Sequence, residues 1–328
     1  MALLFERESL ISGDCEHASM NHRQNPPWLL PNLLSIDAPL VAVAWMWMLA
    51  RALRVEYIQT AAWIVLPTSI WCVYVLDRLI DGWRHPEVRK SSPRHLFHWR
   101  WRWVLLTAAL IAGGVSIYYA MFVLSRSIFS AGLVAALLCG LYFGLAFIDR
   151  GEVPYVKNLL AGMIFAMGIG IPVNAANATL LVTDLNDVIY AFKHTGPVDA
   201  AWNFGRMVLS TIIVIFFHCR EVWVFGLLCM MNITAIDLWE KADASQDENT
   251  AYRHEQTLTM GLIILAGGSL VFAAMYADEY SKPFFYAVMV AAATLQIINH
   301  YRDRFSINSL RVLADAALLV PIPIFLVG

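Results

Sequence analysis

Asp77 and Asp81 stand one helical turn apart in TSIWCVYVLDRLIDGWRH, at the end of a long apolar segment. Carboxylates at i and i+4 on one helix face repel each other, and a cation between them relieves the repulsion. A divalent metal is one such cation. A second acidic group, Asn232, Asp237, Glu240 and Asp243 in NITAIDLWEKAD, closes another apolar segment. Asp237 and Glu240 are i, i+3, as are Glu240 and Asp243, so neighbours within the set share a face. Two such groups facing each other across a cavity would hold Mg²⁺, which takes oxygen ligands and is usually bound by one or two carboxylates together with substrate phosphates. The substrate implied is a diphosphate. Arg84, His85, Arg89, Lys90, Arg94 and His95 follow the first group and supply cations for phosphate oxygens. Metal and cations together would stabilise a departing diphosphate and lower the barrier to breaking a carbon–oxygen bond. An allylic carbocation in an apolar cavity would result.

The elements that must position these groups are membrane helices. Of 328 residues, 59% are hydrophobic and 15% charged, against about 45–50% and about 25% in soluble domains. With a mean hydropathy of +0.59, this is the composition of an integral membrane protein. Taking about 20 apolar residues per crossing, spans are predicted at 34–53, 57–80, 103–124, 128–148, 157–175, 221–240, 257–276, 283–300 and 308–327. The fold class is therefore all-α, a polytopic bundle of about nine transmembrane helices. Residues 1–33 form a polar N-terminal segment and 34–328 a single transmembrane domain. The stretch 206–219 is predicted as an interfacial or partly embedded helix, and 176–203 as an extracytoplasmic insertion. This parity puts both acidic groups on one side, and Lys and Arg concentrate in the connections there, Arg84, Arg89, Lys90 and Arg100 among them. The bias assigns that side to the cytoplasm.

Other classes are excluded or disfavoured. A net charge of −2 with no sustained basic face argues against nucleic acid as a partner. Five cysteines without a C-x-x-C pair indicate neither a disulfide framework nor a zinc site. The mixed, polar first thirty residues do not read as a cleaved signal peptide. His95 and His98 have H-x-x-H spacing, but HLFHWRWRW reads as an interfacial aromatic and basic belt.

The two acidic groups, with VPYVKNLLAGMIFAMGIGIP opening the fifth span, resemble the UbiA superfamily of intramembrane prenyltransferases across about 34–327. That family is a bundle of nine transmembrane helices with aspartate-rich motifs on the second and sixth. The resemblance implies catalytic roles for Asp77, Asp81 and Asp237. It implies Mg²⁺ and diphosphate binding by Asp77 and Asp81, and a second Mg²⁺ on Asp237 with Glu240 or Asp243. Arg84, Tyr155, Lys157 and Asn232 would contact the substrate. The partners would be an isoprenyl diphosphate, a lipophilic or aromatic acceptor and membrane lipid. The chain departs from the family pattern at Val73, which replaces an Asn, and at Lys241, which replaces the second Asp of the later motif. The leading expectation is a Mg²⁺-dependent prenyltransferase. The alternatives are a terpene cyclase of the same fold, which needs no acceptor, and a non-catalytic binding protein or transporter whose carboxylates relay ions.

Overall fold

The computed structural model describes residues 26–84, 92–148, 154–176, 184–217, 219–244, 248–275 and 281–326. Every regular element among them is helical. In chain order the α-helices are α1 (Asp37–Ala52), α2 (Thr60–Arg84), α3 (Pro93–Arg100), α4 (Arg102–Phe122), α5 (Arg126–Ile148), α6 (Pro154–Ala176), α7 (Leu185–His194), α8 (Pro197–Phe217), α9 (Arg220–Ala244), α10 (Glu248–Met275), α11 (Lys282–His300), α12 (Ile307–Ala317) and α13 (Ile322–Leu326). A short helical arm, Pro27–Leu33, precedes α1 and meets it at 80°. Nine helices among the described residues are long and apolar enough to cross a membrane, with α12 and α13 forming one span and the bent arm with α1 a possible tenth. The protein is thus a multi-pass membrane protein.

Apolar side chains alone do not bring helices together in lipid, where tails are as apolar as Leu; close backbone packing does. The seam between α6 and α9 shows this. A Cβ added at Gly162 would lie 2.6 Å from both the Gly226 carbonyl oxygen and the Met230 nitrogen. A Cβ at Gly226 would meet the Met163 sulfur, also at 2.6 Å. Asn158 Nδ2 donates to Thr234 Oγ1 at 3.2 Å at one end of the seam, and Gly170 sits against Val222 at the other. The two helices therefore run antiparallel, with the end of α9 that carries Asp237 beside the start of α6. Around α9 gather α10, α11 and α12. In the same core the Trp45 ring stacks on Phe225, with centroids 4.3 Å apart, and donates its Nε1–H to the Leu318 carbonyl at 2.9 Å.

The structure revises three boundaries. The first predicted span, 34–53, is broken: Ser35 adopts a positive φ of 54° and the regular helix begins only at Asp37. Within the polar segment predicted to end at 33, residues from Pro27 onward are already helical. Of the stretch 206–219, predicted as an interfacial or partly embedded helix, residues 206–217 belong to the longer α8. Even so, α8 does not reverse the parity. Asn203 Nδ2 donates to the Asp187 carbonyl, and the neighbouring Leu185 N–H donates to Ser130 Oγ in the first turns of α5. Ile215 packs beside Gly170 near the end of α6. Both contact points lie at the end of the bundle away from the acidic motifs, so residues 203–215 run along that end. The predicted insertion 176–203 holds α7, whose N-terminus is closed by a capping box between Asp184 and Asp187. Residues 177–183 lie outside the described residues.

The α6–α9 seam has a testable cost. Gly162→Ala forces a methyl group into backbone that cannot yield, and overpacking of this kind costs about 1–3 kcal/mol. Gly114→Ala, where a Cβ meets nothing within 4 Å, serves as the control. Thermal denaturation in detergent should show a clear loss of Tm for the first variant and none for the second; equal melting would discount the seam.

Candidate functional site

The helices enclose a cavity of about 820 Å³, within the range of about 300–1,000 Å³ typical of small-molecule sites. The α2–α4 pair walls one side and the α5–α6 pair the other, while α1, α9 and α12 complete the ring. Val65, Leu66, Ile70, Ile117, Phe129, Leu133, Ile164 and Phe165 make most of the lining apolar. Ser69 and Ser116, midway along, satisfy each other at 2.7 Å. At one end only, Tyr74, Asp77, Arg78, Asn232 and Asp315 give the cavity a polar head. The other end reaches Leu124 and Ile128. Helical periodicity accounts for this polarity. Tyr74, Asp77 and Arg78 lie on the last turns of the same α2 face that carries Leu66, Ile70 and Val73 further back.

Arg78 stands between the first two aspartates, its Nη1 3.5 Å from Asp77 Oδ2 and 3.8 Å from Asp81 Oδ2. These separations exceed the roughly 2.7–2.9 Å of a charge-assisted hydrogen bond. Arg78 therefore stands near Asp77 without gripping it. The second acidic group is different. Lys241 Nζ holds Asp237 Oδ2 at 2.8 Å, Arg311 grips Glu240 Oε1 through Nε at 2.8 Å and Nη2 at 2.7 Å, and Asp243 is exposed. Lys241 stands where the family pattern has Asp, and the cation neutralises the helix face that would otherwise repel itself.

A Mg²⁺ ion is usually bound through one or two carboxylates and substrate phosphates, and Asp77 is the expected metal residue on the cavity wall. Asp237 and Glu240 each give one oxygen to a cation, and Asp243 is exposed. Among the described residues no group of three or more His, Cys, Asp or Glu side chains is placed to hold a metal.

The other expected residues scatter. Asn232 lines the cavity. Arg84 lies at the end of α2, beyond the cavity lining. Tyr155 and Lys157 are exposed on the first turn of α6 and do not line the cavity. His85, Arg89 and Lys90 lie outside the described residues.

The short helix α3 overturns the interfacial reading of His95 and His98, for both are buried. His98 hydrogen-bonds through Nε2 to Ser35 Oγ at 3.3 Å and through Nδ1 to the Arg94 carbonyl at 2.8 Å, pinning α3 against the bend before α1. Arg94 Nη2 lies 4.0 Å from Glu240 Oε1, while its Nε and His95 Nδ1 have no hydrogen-bond partner among the described residues. Burial, reinforced by the positive charges of Arg78 and Arg311, lowers the Arg94 pKa to about 9. Burial and then the charges of Arg78, Arg94 and Arg311 push His95 down to about 3. Three arginines thus converge behind the polar head.

The sequence reading missed Arg311 and Asp315. Both sit in the last apolar segment, SLRVLADAALLVP, where an ionisable residue is costly and needs a partner. That cost was the available signal. Compared with known proteins, the chain matches no family model, no curated protein and no solved structure.

The depressed His95 pKa makes a prediction. The unfolded chain takes up its proton near the ordinary value of about 6.5 while the folded chain resists until about 3. Stability present above pH 6.5 is therefore lost progressively as pH falls toward 3. Melting in detergent between pH 7.5 and 4.5 should show a falling Tm in the wild type, with a shallower slope, by about 5 °C over the range, in His95→Leu. Parallel slopes would refute the assignment.

Proposed function

We propose that the protein is an intramembrane prenyltransferase, which ionises an isoprenyl diphosphate and transfers the prenyl group to a lipophilic or aromatic acceptor. The observation that carries this reading is the cavity itself, an apolar chamber closed at one end by Asp77, Arg78, Asn232 and Asp315. An isoprenyl diphosphate has the same division, a hydrocarbon chain with an anionic head at one end. The resemblance of LDRLID and NITAIDLWEKAD to the UbiA superfamily motifs supports the same substrate.

Arg78, on the cavity wall, is placed to take a diphosphate oxygen. Arg94 and Arg311 add positive potential behind it, in surroundings whose low dielectric strengthens each interaction. Mg²⁺ bound with Asp77 and Asp81 would supply the remaining charge neutralisation on the leaving diphosphate. The apolar walls exclude water from the carbocation until a nucleophile arrives. The basic connections beside Asp77 support a cytoplasmic position for this end.

Cation engagement of the second acidic group favours a second reading, a protein that binds an anionic lipid without chemistry. Purified protein in lipid, given Mg²⁺ and C10 to C20 isoprenyl diphosphates with a crude acceptor extract, separates the two. The transferase should release pyrophosphate and yield a prenylated adduct. Asp77→Ala should lower turnover by about a hundredfold and Arg78→Gln by about tenfold, losses of roughly 2.7 and 1.4 kcal/mol of transition-state stabilisation. Binding without release would support the second reading. A cyclic product formed from the diphosphate alone would instead identify a terpene cyclase.

A further inference from the structure

At the polar head, on the side away from the Asp77 and Arg78 pair, a second constellation joins three helices. Asp315 of α12 lines the cavity and accepts from Asn232 Nδ2 of α9 at 3.1 Å. The carboxyl of Asp37, in the first turn of α1, lies beside it. Asp37 in turn accepts from Asn32 Nδ2 at 2.8 Å and from the Ala38 N–H at 3.0 Å. Tyr74 also lines the cavity.

The Asn232 side chain is unfinished. The residue is 6% exposed and lines the cavity, yet among the described residues its Oδ1 has no hydrogen-bond partner. A buried amide oxygen left unpaired is costly and calls for a donor. An ionised diphosphate carries no hydrogen to give, and a prenyl chain has none on oxygen or nitrogen. The partner this atom lacks belongs to a different molecule.

We propose that Asp315, Asp37 and Asn232 form the acceptor subsite, which recognises a hydroxyl group on the acceptor and takes up the proton it loses. The proposal rests on the prenyltransferase reading for its chemistry. The bond between prenyl C1 and oxygen breaks, its electron pair leaving with diphosphate. The hydroxyl oxygen, or a ring carbon activated by it, forms the new bond to C1. The proton displaced from that atom passes to a carboxyl oxygen of Asp315, beside Asp37, and the negative charge of the pair falls by one unit. Before transfer, the pair's charge faces the developing carbocation across a low-dielectric gap, which favours its formation. Asn232 Oδ1 accepts from the hydroxyl and holds the nucleophile in place.

Direct binding tests the subsite apart from turnover. Equilibrium dialysis of the purified protein in micelles, against protein-free micelles, compares 2-naphthol with 2-methylnaphthalene, which differ chiefly in the hydroxyl. The wild type should prefer the naphthol by about tenfold, and Asp315→Asn and Asn232→Leu, both near-isosteric, should each reduce that preference below about threefold. No preference in the wild type, or one that both variants retain, overturns the proposal. A variant that fails to fold is replaced by Asp37→Asn, for which the same loss is expected. In the pyrophosphate assay Asp315→Asn should lower the ratio of adduct to pyrophosphate by at least about tenfold, and an unchanged ratio overturns the proton-acceptor role. Absence of pyrophosphate release from the wild type would remove the transferase reading while the naphthol preference still decided the subsite. A preference absent from a releasing enzyme would do the reverse.

Discussion

A charge inside a membrane protein has to be answered within the protein, because lipid solvates none of it. That requirement organises one end of this bundle. Arg78 answers Asp77 and Asp81 on its own helix. Arg311 reaches from α12 to Glu240 on α9, with Arg94 of α3 on the same oxygen. Lys241 answers Asp237 one turn back, and the Asn232 and Asn32 amides donate to Asp315 and Asp37. Each pairing other than the local ones ties together helices distant in sequence, so the ends of α3, α9 and α12 are fixed by polar contacts where apolar packing in lipid would leave them free to slide.

Charge compensation also sorts the acidic residues by chemistry. Lys241 and Arg311 take one oxygen each of Asp237 and Glu240 at hydrogen-bond distance, while Arg78 stands further from Asp77. The two acidic groups look alike in sequence, yet it is Asp77 of α2 that reaches the cavity wall.

Much of the architecture was legible in the sequence, because span length and hydropathy are imposed by the thickness of the bilayer. The same-end placement of the two acidic groups was legible too, from parity. Boundaries that depend on tertiary contacts were not. Composition alone cannot tell that α8, apolar enough to cross, runs along one end of the bundle between α5 and α6. The Trp and Arg-rich flanks of His95 and His98 suggested an interface, but Ser35 and the Arg94 carbonyl draw these rings inside. Tyr155 and Lys157 have the spacing of site residues and yet face outward, because α6 turns its Asn158 and Gly162 face to α9. Asp315 signalled itself as a lone carboxylate in an apolar run, while its partner Asp37 lies 278 positions earlier (315 − 37) and no local pattern joins them.

The two hairpins that wall the cavity are unequal in how they are tied. Within the α2–α4 pair, Ser69 and Ser116 share a hydrogen bond at 2.7 Å, Cys72 Sγ donates to the Ala109 carbonyl at 3.4 Å, and Gly113 sits against Cys72. The α5–α6 pair is anchored through α6 to the seam with α9. One wall of the cavity is thus braced by polar atoms of its own two helices, whereas the other borrows its rigidity from a third.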